Sequence, residues 1–344
     1  MDKTATESRR RFLKVLLAGS GALLSGGILA GYCRRIAAHA ASNTARGAVS
    51  ETFIAKAASY DGNLTSVIGS ALKELGITSR MIKGKNIVLK PNLVETHIGT
   101  GHINTHPAVV LAAAGTFRRL GATTVVVAEG PGHTRDSILV LEESGLADLL
   151  YREHIPFVDL NYDNWVTVSN TSRISRLNRL TLPVTLARAD WIVSMAKMKT
   201  HHWVGVTLSM KNLFGVMPGA FYGWPKNALH MAGIEPCILD INAVVRPHLA
   251  IVDGILGMEG DGPIMGRPKH AGVLVLGKNL TAVDATCCRI MDIAPEKVTY
   301  LAAASLILGP VNEAGIRQRG ERVSAVRTRF ALVDDIPAHR RLRS

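Results

Sequence analysis

Lys85-Asn86-Ile87-Val88-Leu89-Lys90-Pro91-Asn92 carries the clearest architectural signal in the chain. Three adjacent apolar residues bounded by polar ones read as a strand covered on both faces, the pattern of a parallel sheet. Pro91 cannot extend a ladder, so the strand stops there and delivers Lys90 and Asn92 at its carboxyl end. Outward from it, the same unit recurs. Residues 106–120 read as a helix, with Pro107 in its first turn and Gly121 as its stop. Residues 123–128 read as a strand, 135–154 as a helix and 156–160 as a short strand. Further strands are expected at 191–196, 249–252 and 271–276, helices at 281–291 and 296–308, and a late strand pair within 322–333. The stretch 200–235 reads as irregular. Strands alternating with helices at this spacing predict an α/β fold: a mainly parallel sheet flanked by helices, with the ligand site at the strand carboxyl ends.

The residues just past each strand are therefore the ones that matter. Lys90-Pro91-Asn92 leads into a loop with Glu95, His97, His102, Asn104 and His106, and the strand at 123–128 leads into Glu129-Gly130-Pro131-Gly132-His133. Lys197-Met198-Lys199-Thr200-His201-His202 comes after the strand at 191–196, with Lys211-Asn212-Leu213-Phe214-Gly215 beyond it. Asp253-Gly254 comes after the strand at 249–252, with Met258-Glu259-Gly260-Asp261-Gly262-Pro263 next. Lysines crowded into a partly dry cleft call for an anion or for a lowered pKa. The expected site therefore has Lys90, Asn92, Lys197, Lys211, Asn212 and Asp253 binding substrate, and Lys199, His201, His230 and Glu259 doing chemistry. The same residues equally fit a solvated basic loop and a glycine-rich surface turn. Asp253 and Glu259 could hold a divalent metal, and His201, His202, His230 and His270 could include ligands, although no two of these four histidines stand at H-x-x-x-H spacing. Asp284 reads as a carboxylate near a helix start, favoured there by electrostatics alone. The G-x-G-x-x-G, Walker A and G-x-S-x-G patterns do not occur.

Composition narrows the class. The chain has 344 residues, 47% hydrophobic and 5% aromatic, enough for a sizeable core. Its formal charge is +13, part of it contributed by Lys3, Arg9, Arg10, Arg11, Lys14, Arg34 and Arg35 near the start. The remaining excess suits a small anionic ligand. No basic stripe interleaved with aromatics points to nucleic acid. Four cysteines (Cys33, Cys237, Cys287 and Cys288) without a C-x-x-C pair do not support an internal iron–sulfur cluster or a structural zinc.

The first forty residues read as an address. Ser8-Arg9-Arg10-Arg11-Phe12-Leu13-Lys14, a glycine-interrupted apolar stretch over 15–32 and Ala38-His39-Ala40 resemble a twin-arginine signal peptide. That predicts export through the twin-arginine machinery to the periplasm, or membrane anchoring where the leader stays uncleaved. The expected organisation is a signal peptide over 1–40, a linker over 41–52 and one α/β domain over 53–335.

Taken in order, Lys90-Pro91-Asn92, Lys197-Met198-Lys199-Thr200-His201, Lys211-Asn212-Leu213-Phe214-Gly215, His230, Asp253-Gly254 with Met258-Glu259-Gly260-Asp261-Gly262-Pro263, and Val283-Asp284-Ala285 resemble the domain of unknown function 362 family. The resemblance spans roughly residues 50–310. It implies an α/β domain, sometimes found beside ferredoxin-like iron–sulfur modules. This chain lacks the cysteines of such a module, which leaves an iron–sulfur redox partner open.

The expectation is an exported enzyme acting on a small carboxylate or phosphate. An oxidoreductase and an acid/base enzyme such as an isomerase both fit the residues. A non-catalytic periplasmic protein that binds a ligand, or serves an iron–sulfur partner, is the alternative.

Overall fold

The computed structural model describes residues 49–96, 98–132 and 136–343. The twin-arginine leader, most of the linker, His97, His133 and the expected start of the helix at 135–154 lie outside the described residues.

Eleven strands are present among the described residues: β1 (Ser50–Lys56), β2 (Asn86–Lys90), β3 (Thr124–Glu129), β4 (Phe157–Asp159), β5 (Trp165–Ser169), β6 (Arg179–Pro183), β7 (Trp191–His201), β8 (Gly205–Thr207), β9 (Leu249–Glu259), β10 (Arg267–Gly277) and β11 (Ile316–Gly320). Nine form one sheet in the order β11-β1-β10-β9-β7-β2-β3-β4, with β8 paired to β7, and β5–β6 make a separate hairpin. The central run β9-β7-β2-β3-β4 is parallel. β10 runs antiparallel to both β1 and β9, and β8 antiparallel to β7. The fold is thus α/β with a mostly parallel mixed sheet.

Helices cover both faces, as a buried parallel sheet requires. Ile87, Leu89, Val125, Val127, Val193 and Met195 pack against helices Leu64–Glu74 and Pro107–Arg119. Val88, Ala128, Ala196, Met198 and Val252 pack on the other side, against helices Ile234–Val245, Leu280–Ile290 and Thr299–Ala304.

Several elements differ from the sequence expectation. β7 and β9 each run eleven residues, so Lys197, Lys199, His201, Asp253 and Glu259 lie in strands rather than in the loops beyond them. The reason is neighbour pairing: Lys197 stands opposite Asp253, and a register shift then brings Lys199 opposite Met258. Lys197 is tolerated inside the strand because Asp253 meets it across the ladder, and Lys199 because the Ile103 and Pro263 carbonyls accept from it. Gly254 and Gly257 are accordingly not turn glycines. A Cβ at Gly257 would come within 2.6 Å of the Met198 carbonyl oxygen. The expected helix over 135–154 is two helices, Ser137–Glu143 and Ala147–Arg152, parted at Gly145, whose φ is +72°. The late strand pair is absent: β11 comes earlier, and Val323–Val326 is a helical turn. The stretch 200–235, expected to be irregular, contains β8 and several short helices. β1 begins at Ser50, inside the expected linker. The body continues past residue 335, since Leu342 is buried and its carbonyl accepts from Ala294 N.

Candidate active site

Parallel pairing sets adjacent strand ends side by side. Lys90 closes β2 and Glu129 closes β3, and Lys90 Nζ donates to Glu129 Oε2 at 2.6 Å, Asn212 Oδ1 at 2.9 Å and Pro91 O at 2.7 Å. Glu129 also accepts from Leu93 N and Gly130 N, both at 2.9 Å. Both side chains are 1% exposed. Burial holds the Lys90 amine below its usual range, with Glu129 pulling the other way. The pair is sealed by Gly215, where a Cβ would sit 2.2 Å from Glu129 Oε1 and 2.6 Å from Lys90 Nζ. Only glycine lets that backbone close over the ion pair.

A second pair forms one strand away. Lys197 Nζ meets Asp253 Oδ2 at 2.6 Å with neither side chain exposed, and also donates to Gly101 O at 2.8 Å. Tyr60 donates its hydroxyl to Asp253 Oδ1 at 3.0 Å and stacks on His106, ring centroids 3.6 Å apart. His106 N closes the circle on Asp253 Oδ2 at 3.1 Å. Burial and the Asp253 charge push the Tyr60 hydroxyl up, so it remains a donor.

Three further lysines have no carboxylate in contact. Lys199 is fully buried and donates to Ile103 O at 2.8 Å and Pro263 O at 3.3 Å. Burial, and then the charges of Lys197, Lys211 and Lys90, hold its amine well below the usual lysine range. Lys211 is half-buried, with Nζ 4.4 Å from the Phe214 ring centroid. Burial, with the Lys90 charge, lowers it to about 8. Lys226 is 2% exposed in a left-handed backbone conformation, φ +66°. It donates to Asn161 Oδ1 at 2.5 Å and to Met217 O, and burial lowers it to about 7. An amine with so low a pKa offers a lone pair near neutral pH, or takes up a proton when an anion arrives.

Two histidines border these amines and differ in tautomer. His201 Nδ1 accepts from Trp203 N at 3.0 Å, so its neutral ring carries the proton on Nε2. Burial, and then the Lys211 charge, hold it well below its usual pKa. His230 Nδ1 lies 3.0 Å from Lys226 O, an acceptor, which leaves its Nε2 as a lone pair. Burial lowers this ring too. Trp203 links the two, 6.3 Å from His201 and 5.3 Å from His230 between ring centroids. The set therefore holds one imidazole N–H, one imidazole lone pair and basic amines in a single network. Asn92 adds a buried Oδ1 without a hydrogen-bond partner among the described residues.

Of the residues singled out from sequence, Lys90, Lys197, Lys199, Lys211, Asn212, Asp253, His201 and His230 come together by contact or charge. Asn212 and Asp253 are held internally: Asn212 joins Lys90 to Ser194, donating to Ser194 Oγ at 3.1 Å. Glu259 stands apart. Its carboxylate accepts from Ala331 N at 2.8 Å and lies 3.7 Å from Lys269, and so ties down the C-terminal segment. His202 pairs with Asp261 at 3.3 Å, and His270 bonds Ala58 O. Among the described residues, no three His, Cys, Asp or Glu side chains converge as a metal site.

The structure adds Tyr60, Glu129, Asn161, Lys226 and Asp284. Glu129 was legible as a strand-end acid opposite Lys90. Lys226, in a left-handed turn after Trp224-Pro225, had no periodic signal. Asp284 differs from the helix-start reading. It sits inside helix Leu280–Ile290, fully buried, and accepts from Ser209 N at 2.8 Å, Ser209 Oγ at 2.5 Å and Met210 N at 3.0 Å. It thereby fixes helix Ser209–Asn212, which carries Lys211. Burial raises its carboxyl to about 7.

Two grooves, of about 440 and 420 Å³, lie at the opposite end of the sheet, beside the start of β9. Size alone does not mark the chemistry; the convergence of amines and imidazoles does.

Comparison with known proteins adds three findings. The family described as domain of unknown function (DUF362) matches residues 87–289. The thylakoid-associated protein sll1697 of Synechocystis sp. is 29% identical over 265 residues, covering 74% of this chain and 78% of that one. The lactate racemase apoprotein from Thermoanaerobacterium thermosaccharolyticum superposes with a TM-score of 0.45 at 11% identity, over 71% of this chain. The chain spans 57% of the length of that structure.

Proposed function

The chain belongs to the DUF362 family, a domain of unknown function, and from that premise we propose that it is an enzyme performing acid/base chemistry on a small carboxylate or phosphate at the ends of β2, β7 and β9. One observation carries the reading: Lys90, Lys197, Lys199, Lys211 and Lys226 gather around only two contacting carboxylates among the described residues, Glu129 and Asp253. A buried excess of amines is costly when charged and becomes favourable when an anion enters. Lys211, half-buried and free of hydrogen bonds among the described residues, is the first amine an entering anion meets. His201 supplies a proton from Nε2, and His230 accepts one at Nε2. This pairing of opposite tautomers favours proton transfer over the other reaction classes.

Calorimetric titration with sulfate and with propionate, neither of which titrates near pH 8, tests the site. Binding raises the depressed amine pKa values, so the protein takes up protons, read as a dependence of heat on buffer ionisation enthalpy. Lys211→Met weakens binding about tenfold, the scale of one charge-assisted contact. Absence of anion binding at millimolar concentration, or binding without proton uptake, refutes the site. Deuterium entry next to the carboxylate of candidate acids in D₂O, lost in His230→Gln, tests the reaction class.

Export by the twin-arginine machinery belongs to the same proposal. The string Ser8 to Lys14 supports it, and the thylakoid association in the name of the Synechocystis relative is consistent with life beside a membrane. Among the described residues, no helix is long and apolar enough to cross one. Substituting Lys at both Arg9 and Arg10 should leave the protein in the cytoplasm on fractionation; unchanged export refutes the address.

A further inference from the structure

The two grooves at the amino ends of the parallel strands belong to none of the chemistry above. They share Thr171, Ala243 and Arg246, so they are continuous. Their halves differ in character. One is polar and is bordered by two cations, Arg246 and Lys278. The other is apolar, lined by Val166 and Leu182 of the β5–β6 hairpin together with Leu186, Ile192 and Val244. Arg246 stands at the junction.

The floor of the polar half carries a built feature. Asn242 is 7% exposed, and its Nδ2 spends both hydrogens on Met210 O at 3.1 Å and Ile238 O at 2.7 Å. These two acceptors fix the amide orientation, so Oδ1 is the atom left over. It makes no hydrogen bond among the described residues and is not sealed off from the groove that Asn242 lines. Open to the groove, this acceptor takes its donor from solvent or from whatever occupies the groove. The buried acid two residues before Asn242 is already occupied. Asp240 is saturated by Asn170 Nδ2, Ser172 Oγ, Ile174 N and Ser175 N, at 2.6 to 2.9 Å.

The geometry points to a binding site for a single anionic amphiphile: an acid head between Arg246 and Lys278, a hydroxyl beside the head donating to Asn242 Oδ1, and an apolar tail along the β5–β6 hairpin. A lysophospholipid-type phosphate combines all three groups. Asn242 also bonds Met210, the neighbour of Lys211, so the groove is joined to the back of the helix that presents that amine.

Native mass spectrometry and calorimetry on the full chain, with 1-decanoylglycerol 3-phosphate as probe, separate the three contributions. The expected result is binding at least about tenfold tighter than glycerol 3-phosphate, which lacks the tail, and than 1-decanoylglycerol, which lacks the charge. Decyl phosphate, which lacks the hydroxyl, binds a few-fold more weakly, and Asn242→Leu erases that difference. Lys278→Glu and Arg246→Ser each weaken the probe about tenfold, Ala243→Trp blocks it, and Lys73→Glu on the distant helix Leu64–Glu74 leaves it unchanged. Asn242→Leu also removes a structural bond, so the surface variant Lys278→Glu decides the matter if that protein does not fold. Equal binding of glycerol 3-phosphate and the probe overturns the inference, as does indifference to both cation substitutions. Sedimentation with phosphatidic acid vesicles without binding of the monomeric probe overturns it as well, because a surface rather than a groove is then at work. Sulfate binding at Lys211 is measured separately, so failure here leaves the proposed active site standing.

Discussion

Lys90 and Lys211 are both site lysines of this α/β sheet, yet they are held in opposite ways. Lys90 is locked: three acceptors surround its amine, one of them a carboxylate, and Gly215 closes over it. Lys211 has the Phe214 ring beneath it and no hydrogen bond among the described residues. Lys197 resembles Lys90, while Lys199 and Lys226 resemble Lys211 in lacking a carboxylate in contact. The contrast separates framework from reagent. A saturated ion pair sets the local field and the backbone path but has no valence left for a substrate. An amine with a lowered pKa and few partners has one to offer.

The largest effect is expected from removing half of a locked pair. Glu129→Gln leaves Lys90 as an uncompensated buried charge, so denaturant unfolding should show a loss of about 3–5 kcal/mol. Replacing both partners, as Lys90→Met with Glu129→Leu, should recover much of that loss. If the single and double variants unfold alike, the pair is not framework. Asp284→Asn comes next: it turns an amide toward the Ser209 and Met210 N–H donors, and about 1.5–3 kcal/mol of stability should go with these bonds. Lys211 loses its platform in the same variant, so sulfate affinity should fall as well.

Lys226 gives a pH signature. Its amine titrates near 7 in the folded chain and near 10.4 when unfolded. Between those values the unfolded chain holds a proton that the native one lacks. Stability from this residue therefore rises with pH from about 7 to about 10, and is lost as pH falls through that range toward the folded value. Lys226→Met should flatten that slope in unfolding measured at several pH values; an unchanged slope would show the amine to be charged in the native protein. The smallest effect belongs to Glu259→Gln, which should leave sulfate affinity within about twofold, because its carboxylate faces Ala331 and Lys269.

Much of this contrast was invisible in the sequence. Lys90, Lys197, Lys199 and Lys211 were legible as amines near strand ends, because apolar runs such as Ile87-Val88-Leu89 mark strands and chain order places the lysines just beyond them. Whether an amine is paired depends on strand order, and sequence does not state strand order. Asp253 pairs with Lys197 only because β9 lies beside β7 in parallel register. Glu259, six residues later, looked equivalent but meets the C-terminal segment instead. Lengths of β7 and β9 were underestimated for the same reason: a lysine ends a strand on local propensity and continues it when a carboxylate stands opposite.

The α/β class, the central parallel strands, helices such as Pro107–Arg119 and Leu280–Ile290, and the polar residue types at the strand ends were readable from the sequence, since these arise from apolar periodicity and from proline and glycine punctuation. Which amines are neutralised and which are left without a carboxylate, what Asp284 is for, and that Lys226 belongs to the site came from the folded arrangement. Those are properties of distance and burial. Burial multiplies the energy of an unpaired charge severalfold, and it is set by neighbours tens to hundreds of residues away along the chain.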